Sequence, residues 1–210
     1  MQGFEFNTVR QIINGCGSAL QLASQCRHQG MSRPLLVTDP GLMAIGLVQP
    51  VIAALEQAGF APVVFDQVRE DPPEATVLTA ADLGRSQGVD GVIAVGGGSS
   101  MDVAKVVAVL LAGQQALSQL YGVGNVSGGR LPLVLVPTTA GTGSEVTPVA
   151  VITTGETTKA GVSSPVLLPD AAVLDADLTL GLPPAVTAMT GVDAMVHAIE
   201  AYASASPNNN

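Results

Sequence analysis

In the stretch GVDAMVHAIEAY, Asp193 and His197 stand four residues apart. On a helix that spacing aims a carboxylate oxygen and an imidazole nitrogen at one point, as a shared divalent cation requires. A plain hydrogen-bonded pair would use the same spacing. The run around Asp193 is apolar, and a charge buried there costs several kcal/mol unless it is paired or holds metal. Two donors leave a metal site incomplete, because proteins usually supply three or four. The other histidine, His28 in CRHQG, falls at an expected helix end, where it complements the dipole. Any further donors are therefore expected beyond residue 210.

Two further stretches are suited to holding a ligand. In VIAVGGGSSMDVAK (92–105) an apolar run meets Gly96, Gly97 and Gly98, and Ser99 and Ser100 open a helical pattern. Glycines let a backbone turn sharply and approach a ligand closely, and the free amides of a helix start attract an anion such as pyrophosphate. The same residues also fit a tight strand-to-helix turn with Ser99 as N-cap. The stretch matches neither the G-x-G-x-x-G fingerprint nor a Walker loop. In VPTTAGTGSEVTP (136–148), Thr138, Thr139, Thr142, Ser144 and Thr147 surround Gly141 and Gly143. Their hydroxyls could bind phosphate or a carboxamide, or simply belong to a polar loop. GTGSE is not G-x-S-x-G, so Ser144 is not expected to be a nucleophile. Asp39, in VTDPGL, ends another apolar run, where it could accept hydrogen bonds from ribose hydroxyls or shape an Asp-Pro-Gly turn.

These residues need a scaffold, and the hydrophobic pattern supplies one. Strands are expected at 34–39, 61–66, 90–95 and 131–137, and helices at 47–59, 72–88 and after Gly98. Such alternation implies a mostly parallel sheet with helices on both faces. After residue 147 the expected pieces are short and extended, without helices between them. A long helix then follows Pro183, over 184–204. It is apolar around much of its circumference, at Val186, Met189, Val192, Met195, Val196 and Ile199, and so wants neighbours on several sides. The expected division is one unit over 1–180 and the start of a second over 181–210, with the chain read as the first part of a longer one.

Bulk composition excludes some classes of function. The chain has 210 residues, of which 47% are hydrophobic and 12% charged, so general disorder is excluded and a sizeable core is available. A net charge of -9 with no basic run argues against nucleic acid and anionic membranes as partners. The start MQGFEFNTVR lacks the features of a secretory signal, and VVAVLLAG is too short to span a bilayer. Cys16 and Cys26 match no metal or redox spacing, and a cytoplasmic location is expected.

Taken in order, GGGSSMDVAK, PTTAGTGSEVT and GVDAMVHAIEAY resemble the iron-containing alcohol dehydrogenase family over essentially the whole chain. The resemblance implies an N-terminal Rossmann-like domain for NAD(P) and an all-helical C-terminal domain, with metal in the cleft between them. It implies that Gly97, Gly98, Ser99 and Asp102 lie at the cofactor, with Gly97, Gly98 and Ser99 holding the pyrophosphate. Thr138, Thr139 and Thr142 would contact the cofactor, Val151 and Lys159 would lie near the ribose, and Asp39 would favour NAD. Asp193 and His197 would ligate Fe²⁺, with two further histidines supplied by the helical domain. Asp/His donors by themselves suit Zn²⁺ as well, so a zinc-dependent glycerol-dehydrogenase-like enzyme is an alternative. A nucleotide-binding module without turnover is another. The implied reaction moves a hydride between NAD(H) and a small alcohol or aldehyde, in a homo-oligomer.

Overall fold

The computed structural model describes residues 7–203. The first six residues, part of the stretch compared with a signal sequence, and residues 204–210, with the terminal asparagines, lie outside the described residues. In chain order the elements begin with β1 (Gln11–Asn14), α1 (Leu22–His28), β2 (Pro34–Val37), α2 (Pro40–Ala44), α3 (Gln49–Gln57), β3 (Val63–Phe65) and α4 (Glu74–Gln87). They continue through β4 (Gly91–Gly96), α5 (Gly98–Ala112), β5 (Gly122–Val123), β6 (Leu133–Pro137), β7 (Val149–Thr154), β8 (Thr158–Ser163), β9 (Ala171–Leu174) and α6 (Pro184–Ala203).

Six strands form one parallel sheet in the order β1-β9-β6-β4-β2-β3. Its central strands are apolar at every position because both faces are covered. Side-chain alternation sends Leu35, Val37, Val92, Ala94, Leu133 and Leu135 to one face, with α4 and α5. Leu36, Ile93, Val95, Val134 and Val136 go to the other face, with Leu22 and Cys26 of α1 and Val51 and Leu55 of α3. Each such aliphatic side chain contributes roughly 1.5–3 kcal/mol when fully buried. The parallel sheet with helices on both faces that the pattern implied, and the Rossmann-like α/β fold that the resemblance implied, are therefore observed.

The stretch after residue 147 divides in a way its pattern does not show. β7 and β8 pair antiparallel across a turn containing Gly155, and β5 joins β8 to make a small three-stranded sheet. β9 instead returns to the main sheet between β6 and β1. Ala150, Ile152 and Val162 of the small sheet pack into the same core as α5. That helix is thus sandwiched between two sheets, which explains why it is buried from Ser100 through Leu110 except at Asp102. Neither β1 nor β5 was expected. β1 is a four-residue, largely exposed edge strand and β5 has two residues, so both are too short to show a pattern.

α6 reaches Ala203, and none of its residues is buried. Of the six apolar positions read from the sequence, Met189, Val192, Met195, Val196 and Ile199 are exposed and Val186 is half-buried.

Candidate functional site

The sheet reverses direction between β2 and β4: the chain runs outward from β2 to β3, then returns to β4 and continues to β6 on the other side. Ligands of open α/β sheets gather at such a switch, beyond the carboxyl ends of the strands. There the structure holds a cleft of about 480 Å³. It is lined by Asp39 after β2, Val68, Arg69 and Glu70 after β3, Gly97 to Ser100 after β4, Thr138 and Thr139 after β6, and Leu182. The Thr138 N–H donates to the Gly96 carbonyl (3.0 Å), so the ladder between β4 and β6 runs on to bring the threonine loop beside the glycine loop.

The start of α5 is open. Its N-cap is Gly97 rather than Ser99, and no side chain caps it. The first amides therefore keep the free donors and positive dipole end that suit an anion. Gly98 is required by a close approach, since a Cβ there would lie 2.9 Å from the Thr142 methyl. Asp39 shapes the turn that its Asp-Pro-Gly sequence suggested, at the edge of the cleft. Its Oδ1 accepts the Leu42 N–H at 2.9 Å and caps α2, and the residue still lines the cleft. The hydroxyl oxygen of Thr139 is buried with no protein partner, as is that of Thr38 beside Asp39. An orphaned hydroxyl, an uncapped helix start and a carboxylate around one cleft fit a dinucleotide.

Four residues expected at the cofactor, Thr142, Asp102, Val151 and Lys159, are not among those lining the cleft, and each has protein partners of its own. Thr142 packs its methyl behind Gly98, and its Oγ1 accepts the Ser144 N–H at 3.3 Å. Asp102 faces inward: its Oδ1 accepts the Ser144 hydroxyl (2.7 Å) and its Oδ2 the Val151 N–H (2.9 Å). Val151 thereby serves through its backbone. Lys159 makes an exposed ion pair with Asp71 at 2.7 Å, linking the small sheet to the loop after β3. The sequence reading missed Val68, Arg69, Glu70 and Leu182 in the cleft. A signal for the first three existed, since they follow a strand that neighbours the one ending at Asp39.

Beneath the threonine loop lies a buried lysine. The Lys105 ammonium donates to Ser144 Oγ (2.9 Å), the Thr147 carbonyl (3.0 Å) and the Val149 carbonyl (2.7 Å), with Asp102 at 4.0 Å. All three donors are satisfied, so the group is stable although fully buried. Burial lowers its pKa to about 8, while Asp102 and Glu145 oppose the shift. Burial likewise raises Asp102, against the pull of Lys105, Ser144 and the Val151 amide. This network clamps the threonine loop and β7 onto α5.

Asp193 and His197 stand together on α6, with Oδ1 and Nε2 3.7 Å apart. Both side chains are about half exposed, so the desolvation cost expected for Asp193 does not arise here. Thr190, Asp193 and His197 form one stripe at i, i+3 and i+7. Thr190 rests against Gly141 of the threonine loop, where a Cβ would come within 2.5 Å of the Thr190 carbonyl oxygen. The face carrying both candidate ligands therefore begins against the threonine loop, two residues beyond Thr139 of the cleft lining. Among the described residues no group of three or more potential ligands forms. The two donors fit a divalent cation in type and spacing, as part of its ligand set.

The contact between loop and helix makes a prediction. Gly141→Val is expected to cost about 1–3 kcal/mol in urea unfolding, because backbone must shift. Gly97→Ala, whose Cβ would meet nothing nearer than 3.7 Å, is expected to cost far less. Equal costs would show that α6 does not press on the loop.

A parallel sheet wound on both faces, with a glycine loop at its switch point, defines an α/β protein of Rossmann-like type. Residues 9–176 match the model of the iron-containing alcohol dehydrogenase family, and the chain belongs to that family. It is 44% identical over 190 residues to 4-hydroxybutyrate dehydrogenase of Cupriavidus necator, covering 89% of this chain and 49% of that protein. It is 38% identical over 200 residues to sulfoacetaldehyde reductase of Bilophila wadsworthia, covering 95% and 52%. Among solved structures it superposes on the sulfoacetaldehyde reductase of Bifidobacterium kashiwanohense in complex with NAD⁺, with a TM-score of 0.87 and 31% identity, covering 96% of this chain and 54% of that one. The chain thus spans about half the length of the curated relatives it matches. The family match does not favour the zinc-dependent alternative. No helix among the described residues is long and apolar enough to cross a membrane.

Proposed function

We propose that this chain forms the nucleotide-binding part of a metal-dependent oxidoreductase, which moves a hydride between NAD(H) and a small alcohol or aldehyde. The observation that carries the reading is the cleft at the sheet's switch point. It combines the open amides of α5, the unpartnered Thr139 hydroxyl and Asp39, and the Asp193–His197 helix rests against the threonine loop beside it.

The residues divide the work. The amides of Gly98 and Ser99 hold the pyrophosphate. Asp39 accepts from the ribose with the oxygen its cap bond leaves free, and the Thr139 hydroxyl meets the cofactor. The Asp102–Ser144–Lys105 clamp keeps the two loops in register. Asp193 and His197 would hold the metal, Fe²⁺ by family membership, with its remaining donors outside the described residues. The metal would supply Lewis-acid stabilisation at the substrate oxygen, and the nicotinamide would accept the hydride. This reading places a boundary near residue 180, supported by the exposure of Leu180 and by the lack of any buried residue on α6. It also carries a cytoplasmic location and a homo-oligomer, which fractionation and sedimentation would check.

Titration with NADH, followed by the fluorescence of the bound nicotinamide, tests the reading. Saturable binding is expected, and its absence would overturn it. Asp39→Gly is expected to shift the preference from NADH toward NADPH by about tenfold or more, since removing a carboxylate near a 2′-phosphate relieves a repulsion worth on the order of 1.4 kcal/mol or more.

A further inference from the structure

Asp39 is not the sole charged group placed to read the ribose. The Thr38 N–H donates to the Phe65 carbonyl (2.9 Å), and the Val68 N–H donates back to the Thr38 carbonyl (3.3 Å). This exchange ties the loop after β3 to the end of β2. The next residues along the two segments are Asp39 and Arg69, and both line the cleft. Of the eight basic residues in the sequence, Arg69 is the one that does so.

Its guanidinium is uncommitted. Arg130 is spent on Asp170 and on backbone carbonyls, Arg85 on Asp82 and the Leu110 carbonyl, Arg33 on Gln87, and Arg27 on the Ala58 carbonyl. Among the described residues Arg69 makes neither a hydrogen bond nor an ion pair, not even with its neighbour Glu70. A free, planar set of donors facing a nucleotide cleft matches a phosphate, which arginine binds through paired N–H groups.

We propose that Arg69 is a second determinant of dinucleotide choice, positioned to hold the 2′-phosphate of NADP(H) and to offset the repulsion from Asp39. The proposal rests on the dinucleotide reading of the cleft. The two side chains then act in opposition: Asp39 selects a free ribose hydroxyl, and Arg69 limits how strongly a phosphorylated one is rejected. This chain should discriminate less sharply than Asp39 alone would dictate. What tolerance it has for NADPH should weaken with salt, because it depends on a surface charge.

The test compares dissociation constants of NADH and NADPH for the full-length protein and for Arg69→Ala, Arg69→Lys, Asp39→Gly and the double variant Asp39→Gly/Arg69→Ala. Losing a charge-assisted contact to phosphate should raise the NADPH-to-NADH ratio of constants by roughly tenfold to a hundredfold. That rise is expected for Arg69→Ala, and again when Arg69→Ala is added to Asp39→Gly. Arg69→Lys should recover part of it by restoring the charge. An unchanged ratio in both backgrounds would overturn the proposal. So would an equal weakening of both dinucleotides, which would mean that Arg69 stacks on the adenine they share. Failure of the protein to bind either dinucleotide would instead remove the underlying reading, and the proposal with it.

Discussion

His197→Ala and Asp193→Ala, each made in the full-length protein, are expected to abolish retention of the metal and with it turnover. Changes to outer-shell partners of a metal already reach about a hundredfold in affinity, and deleting a direct donor should exceed that. Metal analysis of purified protein measures the effect directly. The His197 and Asp193 side chains are 52% and 43% exposed, so neither substitution should disturb packing. Thermal midpoints within about 2 °C of wild type are therefore expected, as for surface changes that cost under ~0.5 kcal/mol. Normal metal content in both variants would refute the assignment. A large fall in stability would mean instead that the pair braces the helix.

The second large effect belongs to Lys105. Lys105→Met is expected to destabilise the fold by roughly 3–5 kcal/mol, the range found when one partner of a buried charge pair is removed. It strands the Asp102 carboxylate and leaves the Thr147 and Val149 carbonyls without their donor. The pH dependence has a definite sign. Burial depresses the lysine to about 8 from 10.5, so between these values the unfolded chain binds the proton more tightly than the folded one. The contribution of Lys105 is least favourable below about pH 8 and improves as pH rises toward 10.5, by up to about 3 kcal/mol. Urea titrations of wild type and variant at pH 7.5 and pH 10 should therefore show the gap between them widening. A gap that narrows on raising the pH would contradict the burial of a charged ammonium.

These two predictions differ in how far the sequence alone could reach. The Asp193–His197 pair was legible because a helix imposes its own spacing, whatever surrounds it. The clamp was not legible. Lys105 reads as the polar end of a helix pattern, and Ser144 and Thr147 read as loop residues. Their meeting across some forty positions is decided by the small sheet packing on α5. Asp102 shows the same limit: its place in GGGSSMDVAK suggested a ligand contact, and the fold turns it inward to Ser144 and Val151.

By itself the sequence determined the α/β alternation, the glycine loop at a strand end, the carboxylate at Asp39 and the apolar circumference of the last helix. All of these follow from local periodicity and from the stereochemistry of single residues. Tertiary structure alone decided which loops share the cleft, because strand order is set by long-range packing rather than by neighbours in the chain. β2 lying between β3 and β4 is what brings Arg69 and Gly97 to the same cleft as Asp39. Gly141 meeting Thr190 is what sets the candidate ligand stripe against the threonine loop beside that cleft.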